Sequence, residues 1–269
     1  MKCNPANPKE TGAVNIWQET FPVRFGAIDR SDRLTLNGVF DFFQEMAISH
    51  AENLNVGRED MARTGQIWIL SRMSVQVDRR PEYCETVTVR SWPRGWEKLF
   101  AIRDYDIRDK DDIPVVSARS CWIIVDIEKR RPLRPGSVMD NLPLNEESDA
   151  MNKTPAALET REGEKGSLRK AAERKALYTD VDYNGHVNNV RYIHWIEDTL
   201  EPQILEKADK MRLDINYMNE IMCGETTEIY CAPFEADDGA SLTHAFAFEG
   251  RKAENGQAAF RAELRLYGA

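Results

Sequence analysis

Phe21, Val23 and Phe25 alternate with Thr20, Arg24 and Gly26, a period of two that predicts a strand between Val14 and Asp29. After the turn Arg30-Ser31-Asp32-Arg33 the period lengthens. Leu36, Val39, Phe40, Phe43, Met46, Ala47 and Leu54 recur at helical spacing behind Thr35, a good N-cap. Their apolar face is wide, as expected of a helix covered on most sides. Beyond a polar connection at 55–66, β-branched and aromatic runs return at Trp68–Val77, Thr86–Ser91, Leu99–Ile107 and Val115–Ile127. Turn-rich pieces around Pro81, Pro93-Arg94-Gly95 and Lys110-Asp111-Asp112 make these antiparallel hairpins. One helix packed on an antiparallel sheet, an α+β class, is what this order implies.

Residues 145–170 are rich in Glu, Lys, Ser, Thr and Asn, thin in large apolar side chains, and read as a linker. The pattern then restarts. A short strand is expected at Ala176–Val181, a helix from Asn188 to about Leu205, and strands at Met211–Tyr217, Thr226–Ala232, Leu242–Phe248 and Ala258–Tyr267. The second pass lies on the first. Arg212-Leu213-Asp214 falls on Arg72-Met73-Ser74 at an offset of 140, and Asp182 on Asp29 at an offset of 153. The difference, 153 − 140 = 13, is the number of extra residues the first copy carries between its helix and its second strand. The chain is therefore two copies of one βαββββ unit: an N-terminal domain at 1–145, a linker at 146–170 and a C-terminal domain at 171–269.

Composition narrows the class. Hydrophobic residues at 42% and charged residues at 30% are those of an ordinary soluble globular protein. No apolar run approaches a membrane span, and Met1 to Glu10 is too polar and proline-rich for a signal peptide, so a cytoplasmic location is expected. Acidic residues exceed basic ones by 45 − 36 = 9, which argues against nucleic-acid binding. Cys3, Cys84, Cys121, Cys223 and Cys231 are scattered and suggest neither disulfides nor a zinc site.

The two copies differ where chemistry is possible. Within five residues the second copy places Asp182, Asn184 and His186, with Gly185 between the last two and Asn188 placed to cap the following helix. Asp, Asn and Gly are also ordinary turn residues, but a turn needs no imidazole. The first copy has Ser31 beneath Asn184, Arg33 beneath His186 and Arg80 beneath Glu220, which favours one working and one retired site. Backbone N–H groups of Val187, Asn188 and Asn189, at the helix start, are candidates to hold an oxyanion.

Asp182-x-Asn184-x-His186-Val187-Asn188-Asn189, then Tyr192-Ile193-x-Trp195-Ile196, then Glu220, together with Trp68-x-x-x-Arg72-Met73 in the first half, resembles the acyl-acyl carrier protein thioesterases of plant plastids and their bacterial relatives. The resemblance covers nearly the whole chain. It implies two tandem hotdog domains, each a long helix wrapped by a curved antiparallel sheet, and hydrolysis of fatty acyl-acyl carrier protein to free fatty acid. It also carries the catalytic role onto Asp182, Asn184, His186 and Glu220. Plant members have a cysteine directly after that glutamate; here Ile221 stands there and Cys223 lies two residues on, which makes a cysteine nucleophile doubtful.

Thioester hydrolysis needs a nucleophile, a donor for the carbonyl oxygen and a route for protons, and these groups supply them without metal or cofactor. Glu220 or Asp182 as general base on a water, and Asp182 as a direct nucleophile, both remain open. The first domain is expected to house the acyl chain, with Phe40, Phe43, Met46, Trp68 and Met73 as its wall. Acyl carrier protein is acidic, and the basic runs that could dock it are Lys129-Arg130-Arg131 with Arg134, and Arg79-Arg80. Monomer and homodimer are both allowed. An acyl-CoA thioesterase would use the same residues, whereas a non-catalytic acyl-binding protein would need no polar quartet.

Overall fold

Two strands at equivalent places in the two copies, β2 (Gln66–Val77) and β8 (Lys210–Tyr217), pair antiparallel and join the halves into one sheet. The computed structural model describes residues 14–161, 167–236 and 241–268; the frayed N-terminus expected from sequence, with Cys3, lies outside them. Arg72 faces Asn216 in the shared ladder, so partners sum to 72 + 216 = 288. At the copy offset of 140 that sum is met by Ser74 and Asp214, equivalent residues that face one another, and the Ser74 hydroxyl donates to the Asp214 carboxylate. A pseudo-twofold axis therefore passes between them.

In the first half β1 (Trp17–Pro22), α1 (Leu36–Asn53), α2 (Arg58–Arg63), β2, β3 (Thr86–Glu97), β4 (Phe100–Arg108) and β5 (Pro114–Asp126) follow in order, then a short β6 (Arg131–Leu133) and a single turn α3 (Gly136–Met139). The second half runs β7 (Arg169–Lys175), α4 (Asn189–Glu197), α5 (Pro202–Glu206), β8, β9 (Thr226–Pro233), β10 (Leu242–Lys252) and β11 (Ala258–Tyr267). Spatial order is β1-β3-β4-β5-β2-β8-β11-β10-β9-β7, with β6 on β5. This is the expected two-domain hotdog α+β arrangement. Phe43 packs on Tyr105 of β4 at 4.9 Å and Tyr192 on Phe260 of β11 at 5.2 Å, and one buried cluster runs through both halves. No helix among the described residues is long and apolar enough to cross a membrane.

Three expectations of local structure change. The first strand stops at Pro22, which cannot donate to the ladder, and residues 23–29 turn across the sheet edge instead. The second copy's first strand is β7, inside and beyond the expected linker rather than at 176–181. Its sequence, Arg-Lys-Ala-Ala-Glu-Arg-Lys, shows no apolar alternation because it is a solvated edge strand. The second helix divides into α4 and α5, since Pro202 disfavours helix at the residue before it.

Nor does 145–161 hang free. Arg94 donates to the Glu146 and Ser148 carbonyls, Arg119 pairs with Asp149 at 2.6 Å, and the Ala150 N–H donates to Asp104 at 3.0 Å. Further on, Asn216 donates to the Ala156 carbonyl and Arg161 pairs with Glu263. The segment is a strap pinned from the first half to the second, largely through its own backbone groups.

Candidate active site

The loop between β7 and α4 closes by its own backbone. The Asp182 N–H donates to the His186 carbonyl at 2.8 Å and the Gly185 N–H to the Asp182 carbonyl at 3.0 Å. Gly185 sits at φ 80°, in the left-handed region where a side chain is strained. One Asp182 oxygen accepts the Asn184 N–H at 2.8 Å, an Asx turn, so this carboxylate helps to build the loop. The Val187 N–H then donates to the Ile221 carbonyl at 2.8 Å, and His186 bridges to Met222. That zipper holds the His186 imidazole beside the chain leaving β8. Its Nε2 lies 3.3 Å from Glu220 Oε2, with the side chains 27% and 55% exposed respectively.

Beneath the loop lies an aromatic floor. Tyr192 packs edge-on against Tyr217 at 5.5 Å, and the Tyr217 hydroxyl donates to the Asn189 carbonyl at 3.2 Å. Burial pushes the Tyr192 phenol up, with the charges of Glu220 and Asp182 adding to it and the Ile221 backbone opposing, so it stays protonated.

The helix start is narrower than expected as an oxyanion site. Val187 N–H is spent on Ile221 and Asn188 N–H on the Asp180 carbonyl at 2.9 Å, while the Asn188 side chain caps Val190. Among the described residues the Asn189 N–H alone of the three meets no acceptor, as the first N–H of a helix often does.

Asp182, Asn184, His186, Asn189 and Glu220 all line one cavity of about 890 Å³, a size ordinary for a small-molecule site. From the loop it extends into the first half, along Gln44, Ile48 and Ala51 of α1, past Trp68 and Leu70 of β2, to Ile102 and Trp122. Of the five residues expected to wall the acyl site, Trp68 does so. Phe40, Phe43, Met46 and Met73 do not: they are at most 3% exposed and pack in the core, because the widest apolar stripe of α1 faces the sheet. The cavity takes the adjacent stripe, where small Ala47 and Ala51 leave room.

The 13 extra residues of the first copy follow α1 and form α2, and the segment supplies Val56, Arg58 and Met61 to the cavity wall. Arg58 lies 3.6 Å above the Tyr183 ring and pins the loop tip across the halves. Neither partner is evident from sequence, although the length mismatch marks the segment.

The basic candidates divide. Arg80 is buried and cannot meet a partner; its guanidinium holds Asp29. Arg79 is held by Glu85 through two bonds, at 2.6 and 2.8 Å, and Lys129 lies 3.3 Å from Asp126. Arg130, Arg131 and Arg134 are exposed around the β5–β6 turn, flanked in sequence by Ile127 and Met139, which line the cavity. Cys223 is exposed, but the cavity is lined through Glu220 and not by it.

Residues 14–141 match the acyl-ACP thioesterase N-terminal domain and residues 163–262 the acyl-ACP thioesterase C-terminal domain. The chloroplastic acyl-acyl-carrier-protein hydrolase FATB2 of Cuphea viscosissima is 28% identical over 226 residues, 78% of this chain and 52% of that protein. The chloroplastic oleoyl-acyl carrier protein thioesterase of Coriandrum sativum is 24% identical over 255 residues, covering 88% and 68%. The chain thus spans about half the length of the first curated relatives it matches. An acyl-ACP thioesterase structure from Bacteroides thetaiotaomicron superposes with a TM-score of 0.79 at 24% identity, covering 93% of this chain and 97% of that one. The 12:0-ACP thioesterase of Umbellularia californica gives 0.73 at 19% identity, covering 93% and 96%. At these identities the superpositions establish the fold.

Proposed function

This chain belongs to the acyl-ACP thioesterase family, and from that premise we propose that it hydrolyses fatty acyl-acyl carrier protein, releasing the free fatty acid. The observation that carries the reading is continuity: the His186–Glu220 pair, Asn184 and the Asn189 N–H open on the same cavity as Ile48, Trp68, Ile69 and Leu70. Polar groups at one end and an apolar wall along the rest fit a thioester with a chain attached.

Glu220 accepts a proton from water, with His186 orienting the pair, as the water oxygen bonds to the thioester carbon. The Asn189 N–H and the Asn184 side chain meet the carbonyl oxygen as it takes up charge. Collapse of the tetrahedral intermediate breaks the carbon–sulfur bond, and the carrier's thiolate leaves, taking back the proton. Asp182, committed to the Asn184 N–H, acts as a positioning residue. The exposed turn with Arg130, Arg131 and Arg134 is the surface assigned to the acidic carrier.

The test is hydrolysis of carrier-protein and CoA thioesters of graded chain length. His186→Ala should lower kcat by about 10²–10⁴-fold. The pair Arg130→Glu and Arg131→Glu should raise KM for the carrier-bound substrates alone. Unchanged turnover in His186→Ala removes the site, and label from oxygen-18 water in Asp182 after a single turnover replaces the water mechanism with an anhydride.

A further inference from the structure

Arg103 sits on β4 two residues before Tyr105, so both side chains point from the sheet toward α1. It lines the cavity beside Ile102 and Trp122. Through Nη1 it donates to Ser91 Oγ at 2.9 Å and to His50 Nδ1 at 3.2 Å. His50 Nε2 in turn lies 2.8 Å from the Val14 carbonyl, so Nε2 carries the hydrogen and Nδ1 accepts. Burial first, and then the Arg103 charge, push His50 down to about 3, which keeps it neutral.

Both partners of Arg103 are therefore uncharged. The two buried guanidinia of this half hold carboxylates: Arg80 pairs with Asp29, and Arg119 with Asp104 and Asp149. Among the described residues Arg103 has no carboxylate, and its Nε and Nη2 have no acceptor. Around it the cavity wall is otherwise apolar, with Pro93, Ala101, Ile102 and Trp122, and the Trp122 Nε1 is spent on Ser120 Oγ at 2.7 Å. A cation enclosed with neutral neighbours is costly unless something brings it an acceptor, and the open side of Arg103 is the cavity.

We propose that the acyl chain taken into this cavity bears an oxygen acceptor away from the thioester, a carboxylate being the full match, and that Arg103 recognises it. This rests on the thioesterase reading and adds the substrate class: an ω-oxygenated rather than a plain alkyl chain. A carboxylate meets Nε and Nη2 side by side, the two-point geometry that guanidinium offers and ammonium does not.

The experiment uses the full chain and carrier-protein thioesters of equal length ending in methyl, hydroxyl or carboxylate, over several lengths. Wild type should favour the carboxylate terminus over methyl by at least about tenfold in kcat/KM at the best length, with hydroxyl between. Arg103→Met should reverse that order, and Arg103→Lys should keep part of it. Calorimetric binding to wild type of the monomethyl ester of a dicarboxylic acid against the methyl ester of a monocarboxylic acid of equal length needs neither turnover nor a folded variant, and should favour the half ester by a similar factor. A methyl preference at every length, or half esters binding no better than monoacid esters, overturns the proposal while leaving the thioesterase reading intact. Half-ester binding without hydrolysis of any thioester keeps the Arg103 site and removes the thioesterase reading.

Discussion

Residues 29–33 and 182–186 are one turn built twice. In each, the leading aspartate's N–H donates to the carbonyl four residues on, at 3.0 and 2.8 Å, and its carboxylate accepts the N–H two residues on, at 2.8 Å in both. Leu34 donates to the Pro81 carbonyl as Val187 does to Ile221, again at 2.8 Å in both. What surrounds the turns differs. Arg80 occupies the place of Glu220, 80 + 140 = 220, and its guanidinium bonds Asp29 and the Leu34, Arg33 and Leu205 carbonyls. Burial would raise the Asp29 carboxyl, but Ser31 and Arg80 together hold it below its usual range. Arg33, in the place of His186, reaches Asp209 at 3.0 Å and the Glu206 carbonyl.

The helix starts diverge in the same sense. Leu36 N–H is taken by Glu197 of α4 at 3.1 Å. Its counterpart, 36 + 153 = 189, is the open Asn189 N–H, and the counterpart of Glu197, 197 − 153 = 44, is Gln44, which lines the cavity without binding it. One loop has become a clamp between the halves, and the other keeps its groups for a ligand. The shared backbone turn is architecture; reactivity lies in whether its neighbours saturate it.

That contrast can be broken by substitution. Glu220→Gln should cut turnover by about 10²–10⁴-fold while stability in urea stays within about 0.5 kcal/mol, because the side chain is half exposed. Arg80→Met should do the opposite, costing about 3–5 kcal/mol because Asp29 loses its partner, with turnover per folded molecule retained. Equal stability losses in the two variants would erase the distinction between clamp and site.

Gln44→Glu copies the closed helix end onto the open one. A carboxylate accepting the Asn189 N–H should lower kcat by about 10²-fold without loss of stability, and full activity would show that this N–H is not used. The smallest effect is expected at Glu197, whose carboxyl is pushed up to about 7 by burial, against the Leu36 and Asn37 N–H groups. Its folded value lies above the ordinary 4.5, so the stability it gives is lost as pH rises from about 4.5 through 7. Glu197→Gln, which keeps an acceptor for Leu36, should raise Tm above wild type at pH 8 and differ little at pH 5; parallel curves would exclude the carboxyl as the source.

Much of this was legible along the chain. Period-two and helical spacings locate the strands and α1, the 140 and 153 offsets reveal the duplication, and Asp182, Asn184, His186 and Glu220 stand out because their counterparts differ. Sequence could not tell which stripe of α1 faces the cavity, since Phe43 and Ala51 both satisfy a helical period and only the packed sheet and the α2 segment distinguish them. It likewise could not separate Val187 and Asn188 from Asn189, because whether an N–H is free depends on carbonyls of Ile221 and Asp180 brought to it by folding. Arg103 reads in sequence as one more charge in a strand and Arg80 as half of a basic pair. Local pattern determines which elements form and which residue types they carry; long-range packing decides which charges are neutralised, because an ion's partner is set by distance in space and not along the chain.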